Sequence, residues 1–335
     1  MSKERAQYTG DIWASMSKPR RDKIRKQRAR TRQLKTIRQL LAAALLATAV
    51  SSAVAAGWTH FSSAEGAALQ GTYSPNTAVA ACSTQSFETP VQLADLHDTG
   101  TLVLVNREHA VSAIPARNDM SDAHPAVPVA TPGIRLHPLA LAATAELFEA
   151  ARLAGVGPFH VTSGFRDYAH QQELYEQITD KSLVQAPGHS EHHTGLAVDI
   201  VPFMQAQAGL PLHQWLDGTS SCERWLAQNS WRYGLILRYP AEAQAITGIA
   251  FEPWHFRYVG QVHAWYIWKN DLTFEEYLEQ LRSTGGFDVT IDKRNYFVRY
   301  VSAENGVVYV PDDKEFSLSG DNRGGYIITA WTQEY

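Results

Sequence analysis

The stretch from Leu40 to Trp58, LLAAALLATAVSSAVAAGW, holds no charged residue, so the chain divides into two parts that must fold in different surroundings. Its length matches the hydrocarbon core of a bilayer. Ahead of it, Met1 to Arg38 carries thirteen Lys and Arg against Glu4, Asp11 and Asp22, a balance of +10; with a net charge of −4 overall, the remainder holds −14. Positive residues beside an apolar span stay on the cytoplasmic side, which predicts a single-pass protein with its body outside the cell membrane. The alternative is secretion, because Ala53-Val54-Ala55 has the small-residue pattern of a signal-peptidase site. An acidic body argues against nucleic acid as a partner, since phosphate binding needs clustered cations. Both cysteines, Cys82 and Cys222, fall on the exported side, where a disulfide can persist; spacing leaves open whether they pair.

Residues 59–98 are rich in Ser, Thr and Ala and read as a linker. Beyond them, Thr101–Val105 reads as a short strand. A helix opens at His137-Pro138, with Pro in the first turn and apolar residues at helical spacing, and closes at Gly155. The pattern then predicts strand Phe159–Thr162, helix Tyr168–Ile178, strand Ala197–Val201, helix Ser221–Tyr233, strand Leu235–Tyr239, strand Gly248–Tyr258 and a last helix Thr273–Leu281. Helices interleaved with short, hairpin-paired strands indicate an α+β domain over 99–283. From 284 to 335 the texture changes to alternating strands, a small β extension in which Asn305-Gly306 predicts a hairpin between Tyr296–Val301 and Val307–Val310.

Chemistry concentrates in three segments. Gly188-His189-Ser-Glu-His192-His193-Thr-Gly195-Leu-Ala-Val-Asp199 places three imidazoles before a carboxylate that opens onto a strand, a donor combination that zinc accepts. A solitary surface His is ordinarily just solvated, and His189 and His193 fit that description; spacing alone does not choose among the three. Glu252-Pro-Trp-His255 supplies a further ligand with a carboxylate three residues away that can act as a general base. Arg166, just past a strand end, offers a planar, permanently charged fork for a carboxylate or a polarised carbonyl, and Gln171 can point to the same place.

Ser190-x-His192-x-x-Gly195-x-Ala197-x-Asp199 and Glu252-x-x-His255 resemble the two signatures of the LAS metallopeptidases, the lysostaphin, D-Ala-D-Ala metallopeptidase and hedgehog group. Ser163-Gly-Phe-Arg166, Leu235-Ile-Leu-Arg-Tyr-Pro240 and Glu252-Pro-Trp-His-Phe-Arg-Tyr-Val-Gly260 resemble its VanY-type D-alanyl-D-alanine carboxypeptidases, with Phe165 where Tyr is commoner and Asp167 where Ser is frequent. The resemblance spans roughly Leu102 to Leu281. It implies a LAS-type fold with a small antiparallel sheet flanked by helices. It also implies Zn2+ held by His192, Asp199 and His255, zinc-bound water activated by Glu252, Arg166 at the scissile carbonyl, Ser190 and Gln171 holding the peptide end, and Trp254 packing the strand. The substrate it implies is the peptidoglycan stem pentapeptide, losing its terminal D-alanine, an activity that in relatives removes termini recognised by glycopeptide antibiotics. An L,D-carboxypeptidase or a stem endopeptidase shares the same metal site, and a catalytically idle wall-binding domain is the non-enzymatic alternative.

Overall fold

The computed structural model describes residues 89–92, 99–203, 212, 216–302 and 307–332. Cys82, the basic tail, Leu40–Trp58 and Asn305-Gly306 lie outside them. Among the described residues no helix is long and apolar enough to cross a membrane.

Short strands β2 (Ser121–Asp122) and β3 (Arg135–Leu136) pair antiparallel, and a separate four-stranded antiparallel sheet carries the candidate site. Its order is β4 (Phe159–Ser163), β5 (Ala197–Pro202), β7 (Glu252–Tyr258), β6 (Leu235–Tyr239). Side chains alternate across a pleated strand, so Val198, Ile200, Leu235 and Phe256 point to one face, where they pack on α1 (Pro138–Leu153) and α3 (Ser221–Asn229) through Leu147, Ala151 and Leu226. Asp199, His255, Arg257 and Arg238 take the alternate positions. Helix α1 begins as its sequence predicts: the His137 side chain accepts a hydrogen bond from the Leu139 amide at 3.2 Å, and Pro138 occupies the first turn. Helix α2 (Tyr168–Gln177) is capped in the same way by Asp167.

A second layer is built from α4 (Gln261–Asn270), α5 (Phe274–Thr284) and a four-stranded sheet of order β11 (Glu315–Gly320), β12 (Tyr326–Trp331), β9 (Arg294–Val301), β8 (Gly286–Ile291). The C-terminal strands share one apolar cluster with α4, α5, Ile236, Val259, Leu102 and Leu104. They therefore close a core shared with β6 of the first sheet.

Several expectations change. Thr101–Val105 forms no ladder: the Leu102 amide donates to Ser319 Oγ at 2.9 Å, the Leu104 amide to the Asp321 carbonyl at 3.3 Å, and the carbonyls of Thr101 and Val103 accept from Arg257 Nη2 at 3.0 Å each. Side chains and one loop carbonyl, not a neighbouring strand, satisfy that extended segment. The strand expected from Gly248 begins at Glu252, after a one-turn helix at Gln244–Thr247. Helix α4 was not foreseen. The expected pairing of β9 with β10 (Val307–Val310) does not form either: β9 pairs with β8 and β12, while β10 pairs antiparallel with β1 (Thr89–Gln92), a strand inside the stretch read as linker. A tight hairpin joins β8 to β9 through Asp292 and Lys293, both at positive φ (49° and 68°), the backbone of a primed turn without glycine.

Candidate metal centre

Register builds the centre. Asp199 on β5 sits directly opposite His255 on β7, which brings Asp199 Oδ1 to 3.1 Å from His255 Nδ1. His192 enters from a short 3-10 turn, Glu191–Thr194, just ahead of β5, and its Nε2 lies 3.5 Å from Asp199 Oδ1. Gly195 ends that turn at φ 69°, a left-handed conformation that costs other residues energy, and a Cβ there would collide with Met120 Sδ. One ligand-type atom from each of His192, Asp199 and His255 lies within 4.8 Å of the others, and all three residues are buried.

Glu252 and His255 are three apart, so a regular strand would send them to opposite faces. The β6–β7 pairing is irregular across this stretch, Leu237 pairing with Phe256 but Tyr239 with Glu252, and strict alternation does not hold there. The irregularity contains Pro253, a residue that strands tolerate chiefly at edges and bulges. Glu252 Oε2 consequently stands 3.7 Å from His255 Nδ1. Trp254 is buried in a small cluster with Val201 and Leu216.

The ring nitrogens have assigned tasks. His192 Nδ1 is 2.7 Å from the Gly164 carbonyl, to which it donates, and this leaves Nε2 as a buried lone pair without a protein partner. Asp199 Oδ1 is likewise without a hydrogen-bond partner. Burial, reinforced by Arg166, lowers His192 to about 4, keeping the imidazole neutral. For Asp199, burial is outweighed by the neighbouring His192 and His255, which hold the carboxyl well below the usual range. Burial also opposes a charge on His255, but the carboxylates of Asp199 and Glu191 facing its two nitrogens prevail and raise it to about 9. The cluster of acids draws in a positive charge, which in the protein alone is the His255 proton. Glu252 is pushed up to about 8, first by burial and then by repulsion from Asp199 and Glu191, with His255 and Arg166 opposing. A carboxyl held near neutrality is suited to general acid and base work.

Arg166 lies alongside: its amide donates to the His192 carbonyl at 3.1 Å, and its buried Nε has no hydrogen-bond partner. Burial lowers it, while Asp199 and Glu252 oppose the shift. Ser190 is buried at the start of the 3-10 turn. Gln171 is turned toward the loop leading to that turn, its Nε2 donating to the Gln185 carbonyl at 2.7 Å and its Oε1 buried without a partner.

His189 and His193 are not idle solvated rings. His193 is fully buried; its Nδ1 donates to the Arg166 carbonyl at 2.7 Å and its Nε2 accepts from the Gly188 amide at 3.0 Å, a pairing that suits the neutral imidazole. His189 Nδ1 donates to the Asn106 carbonyl at 2.8 Å. Sequence reasoning also passed over Glu191. Its Oε1 accepts from Arg238 Nε at 2.8 Å and Arg257 Nη1 at 2.9 Å, and its Oε2 faces His255 Nε2 at 3.5 Å. Arg238 in turn forms a two-pronged pair with Glu275 of α5, at 2.7 and 2.9 Å. Both arginines lie in strands with alternating faces next to a predicted ligand, a signal that could have exposed them.

Residues 133–261 match the family model described as VanY, D-alanyl-D-alanine carboxypeptidase, and every candidate site residue falls within that range. Over 192 residues the chain is 33% identical to the bifunctional D-Ala-D-Ala dipeptidase and D-Ala-D-Ala carboxypeptidase VanXYC of Enterococcus gallinarum, covering 55% of this chain and 96% of that protein. This chain belongs to the VanY D-alanyl-D-alanine carboxypeptidase family. A D-alanyl-D-alanine carboxypeptidase of Enterococcus faecium is 32% identical over 187 residues, 56% of this chain and 58% of the relative, so this VanY-family chain matches little more than half of that relative's length. The vancomycin-resistance D,D-dipeptidase VanXYg, solved with a D-Ala-D-Ala phosphinate analogue, superposes with a TM-score of 0.62 at 23% identity, over 72% of this chain and 98% of that one. The α+β fold read from the sequence is therefore the VanY metallopeptidase fold.

Proposed function

We propose that this protein is a zinc-dependent D,D-carboxypeptidase that removes the C-terminal D-alanine from peptidoglycan pentapeptide stems. The observation that carries the reading is the convergence of His192, Asp199 and His255 donor atoms within 4.8 Å, with the Glu252 carboxylate beside them. Two imidazoles and one carboxylate are the donor set of a catalytic zinc, which keeps an open position, and the buried, unpartnered His192 Nε2 and Asp199 Oδ1 fit a cation between them. Zinc, when bound, supplies Lewis acidity to water and to the scissile carbonyl.

The chain's own groups supply the rest. Glu252 takes a proton from the attacking water and returns it to the amine of the leaving D-alanine, so that water adds across the cleaved C–N bond and the products are tetrapeptide and D-alanine. Arg166 stabilises the negative charge that develops on the carbonyl oxygen. Ser190 and Gln171 hold the peptide terminus. Glu252 argues against an idle binding domain, because a purely structural metal site has no use for a buried carboxyl at about 8. The uncharged Leu40–Trp58 run and its basic flank support a single-pass anchor with this site outside the cell, or a secreted body if Ala53-Val54-Ala55 is cleaved.

The test incubates the purified full-length chain with muramyl pentapeptide and, in parallel, tetrapeptide, with EDTA and zinc add-back controls and products resolved by mass. Release of one D-alanine from pentapeptide alone, lost with EDTA and restored by zinc, is the expected result. Zinc-replete protein that leaves pentapeptide intact refutes the carboxypeptidase, and cleavage of tetrapeptide or internal cuts move the assignment to the L,D-carboxypeptidase or endopeptidase reading.

A further inference from the structure

We infer that Glu191 is a positioning residue for the metal centre, acting through the His255 ring. This rests on the metal-site reading above. The two nitrogens of His255 lie on opposite sides of its ring. Nδ1 faces Asp199 and Glu252, at 3.1 and 3.7 Å, and is the nitrogen on the cluster side. Nε2 faces Glu191 Oε2 at 3.5 Å, and neither atom has a closed hydrogen bond to any other described group. Each is the natural partner of the other. A ligand imidazole that passes its distal N–H to a carboxylate gains basicity and a fixed orientation.

The structure also shows what holds Glu191 in place. Its other oxygen is occupied by two arginines, Arg238 at 2.8 Å and Arg257 at 2.9 Å, and all three side chains are wholly buried. The arginines are fixed from behind: Arg238 by Glu275, and Arg257 by the carbonyls of Thr101 and Val103. Glu191 thus has one oxygen dedicated to the arginines and one to the imidazole. A glutamine cannot serve both. If its single acceptor oxygen faces the arginines, its NH2 meets the His255 N–H as donor against donor; if it turns, the NH2 meets the guanidinium N–H groups.

A bland account is available, in which Glu191 only balances two buried cations. Glu275 separates the two accounts, because it pairs with the same Arg238 yet touches no metal-site imidazole. The experiment compares zinc affinity of the metal-stripped full chain as wild type, Glu191→Gln and Glu275→Gln, by competition with a chelating dye. Thermal melts of the metal-free forms establish that each is folded. The expected result is zinc binding weakened by roughly 10- to 100-fold in Glu191→Gln, with Glu275→Gln remaining within about threefold of wild type. Equal affinity of wild type and Glu191→Gln overturns the inference, as does an equal loss in both variants. If Glu191→Gln does not fold, Glu191→Asp, which keeps the charge but withdraws it by one methylene, is read by the same criteria. No step requires turnover, so a wild type that binds zinc but leaves pentapeptide uncut refutes the proposed activity without touching this conclusion.

Discussion

His263 makes the stability of this protein sensitive to acid, at a place remote from the metal ligands. It sits on α4, 3% exposed, with Nδ1 against the Tyr277 hydroxyl of α5 and Nε2 2.8 Å from Thr329 Oγ1 of β12. Burial pushes its pKa down from 6.5 to about 3. Because the folded value is the lower one, the unfolded chain takes up the proton first as pH falls, so the contribution of the neutral ring is complete above about 6.5 and is lost progressively toward 3. At 1.36 kcal/mol per pH unit, the loss from this one group reaches about 2 kcal/mol at pH 5 and about 3 kcal/mol at pH 4. Glutamine keeps a polar side chain there and does not titrate. Urea unfolding of wild type and His263→Gln at pH 7, 5 and 4 isolates the effect, since all other groups titrate in both proteins and cancel in the difference. The stability gap between the two should move in favour of the variant by about 3 kcal/mol from pH 7 to pH 4. Parallel curves would refute the reasoning and mean that the ring is protonated, or reached by water, in the folded protein.

Two further outcomes follow from the site geometry. Glu252→Gln should lower turnover by roughly 10²- to 10⁴-fold while zinc content after dialysis stays at the wild-type level, whereas Asp199→Asn should lose the metal itself; equal metal loss in both would show that Glu252 is a ligand and not a base. Gly195→Ala forces a Cβ onto Met120 and a non-glycine residue into a left-handed conformation, so a loss of about 2–4 kcal/mol in chemical unfolding is expected, and an unchanged midpoint would contradict the close packing around the His192 turn.

Legibility in the sequence follows how locally each feature is determined. Helix α1 could be read because its cap, proline and apolar spacing all lie within the segment. Helix α4 could not: Val262 to Ile267 are buried one after another, and a helix covered on all sides loses the apolar-polar period that reveals it. The β9–β10 hairpin was misread because an Asn-Gly signal reports a turn but not the partner of the strand that follows, and β10 found β1 more than 200 residues upstream. His192, Asp199, His255 and Glu252 were legible because their motifs are compact and chemically distinctive. Glu191 stood inside the same motif as an unremarked position, since its role depends on Arg238, Arg257 and His255 arriving from strands 47 to 66 residues away.

The shared second core layer bears on where this protein can be cut. The match to the VanY family model begins at residue 133, after Leu102 and Leu104, and ends at residue 261, the first residue of α4. A fragment trimmed to those limits keeps every proposed metal ligand and the proposed base, yet it strips Trp231, Ile236 and Val259 of the side chains that cover them and deprives Arg238 of Glu275. The family model and the folded core draw different borders on this chain. Such a fragment would display an apolar face and an unbalanced buried cation directly behind the metal centre, and its expected fate is aggregation with the full set of catalytic residues still in its sequence.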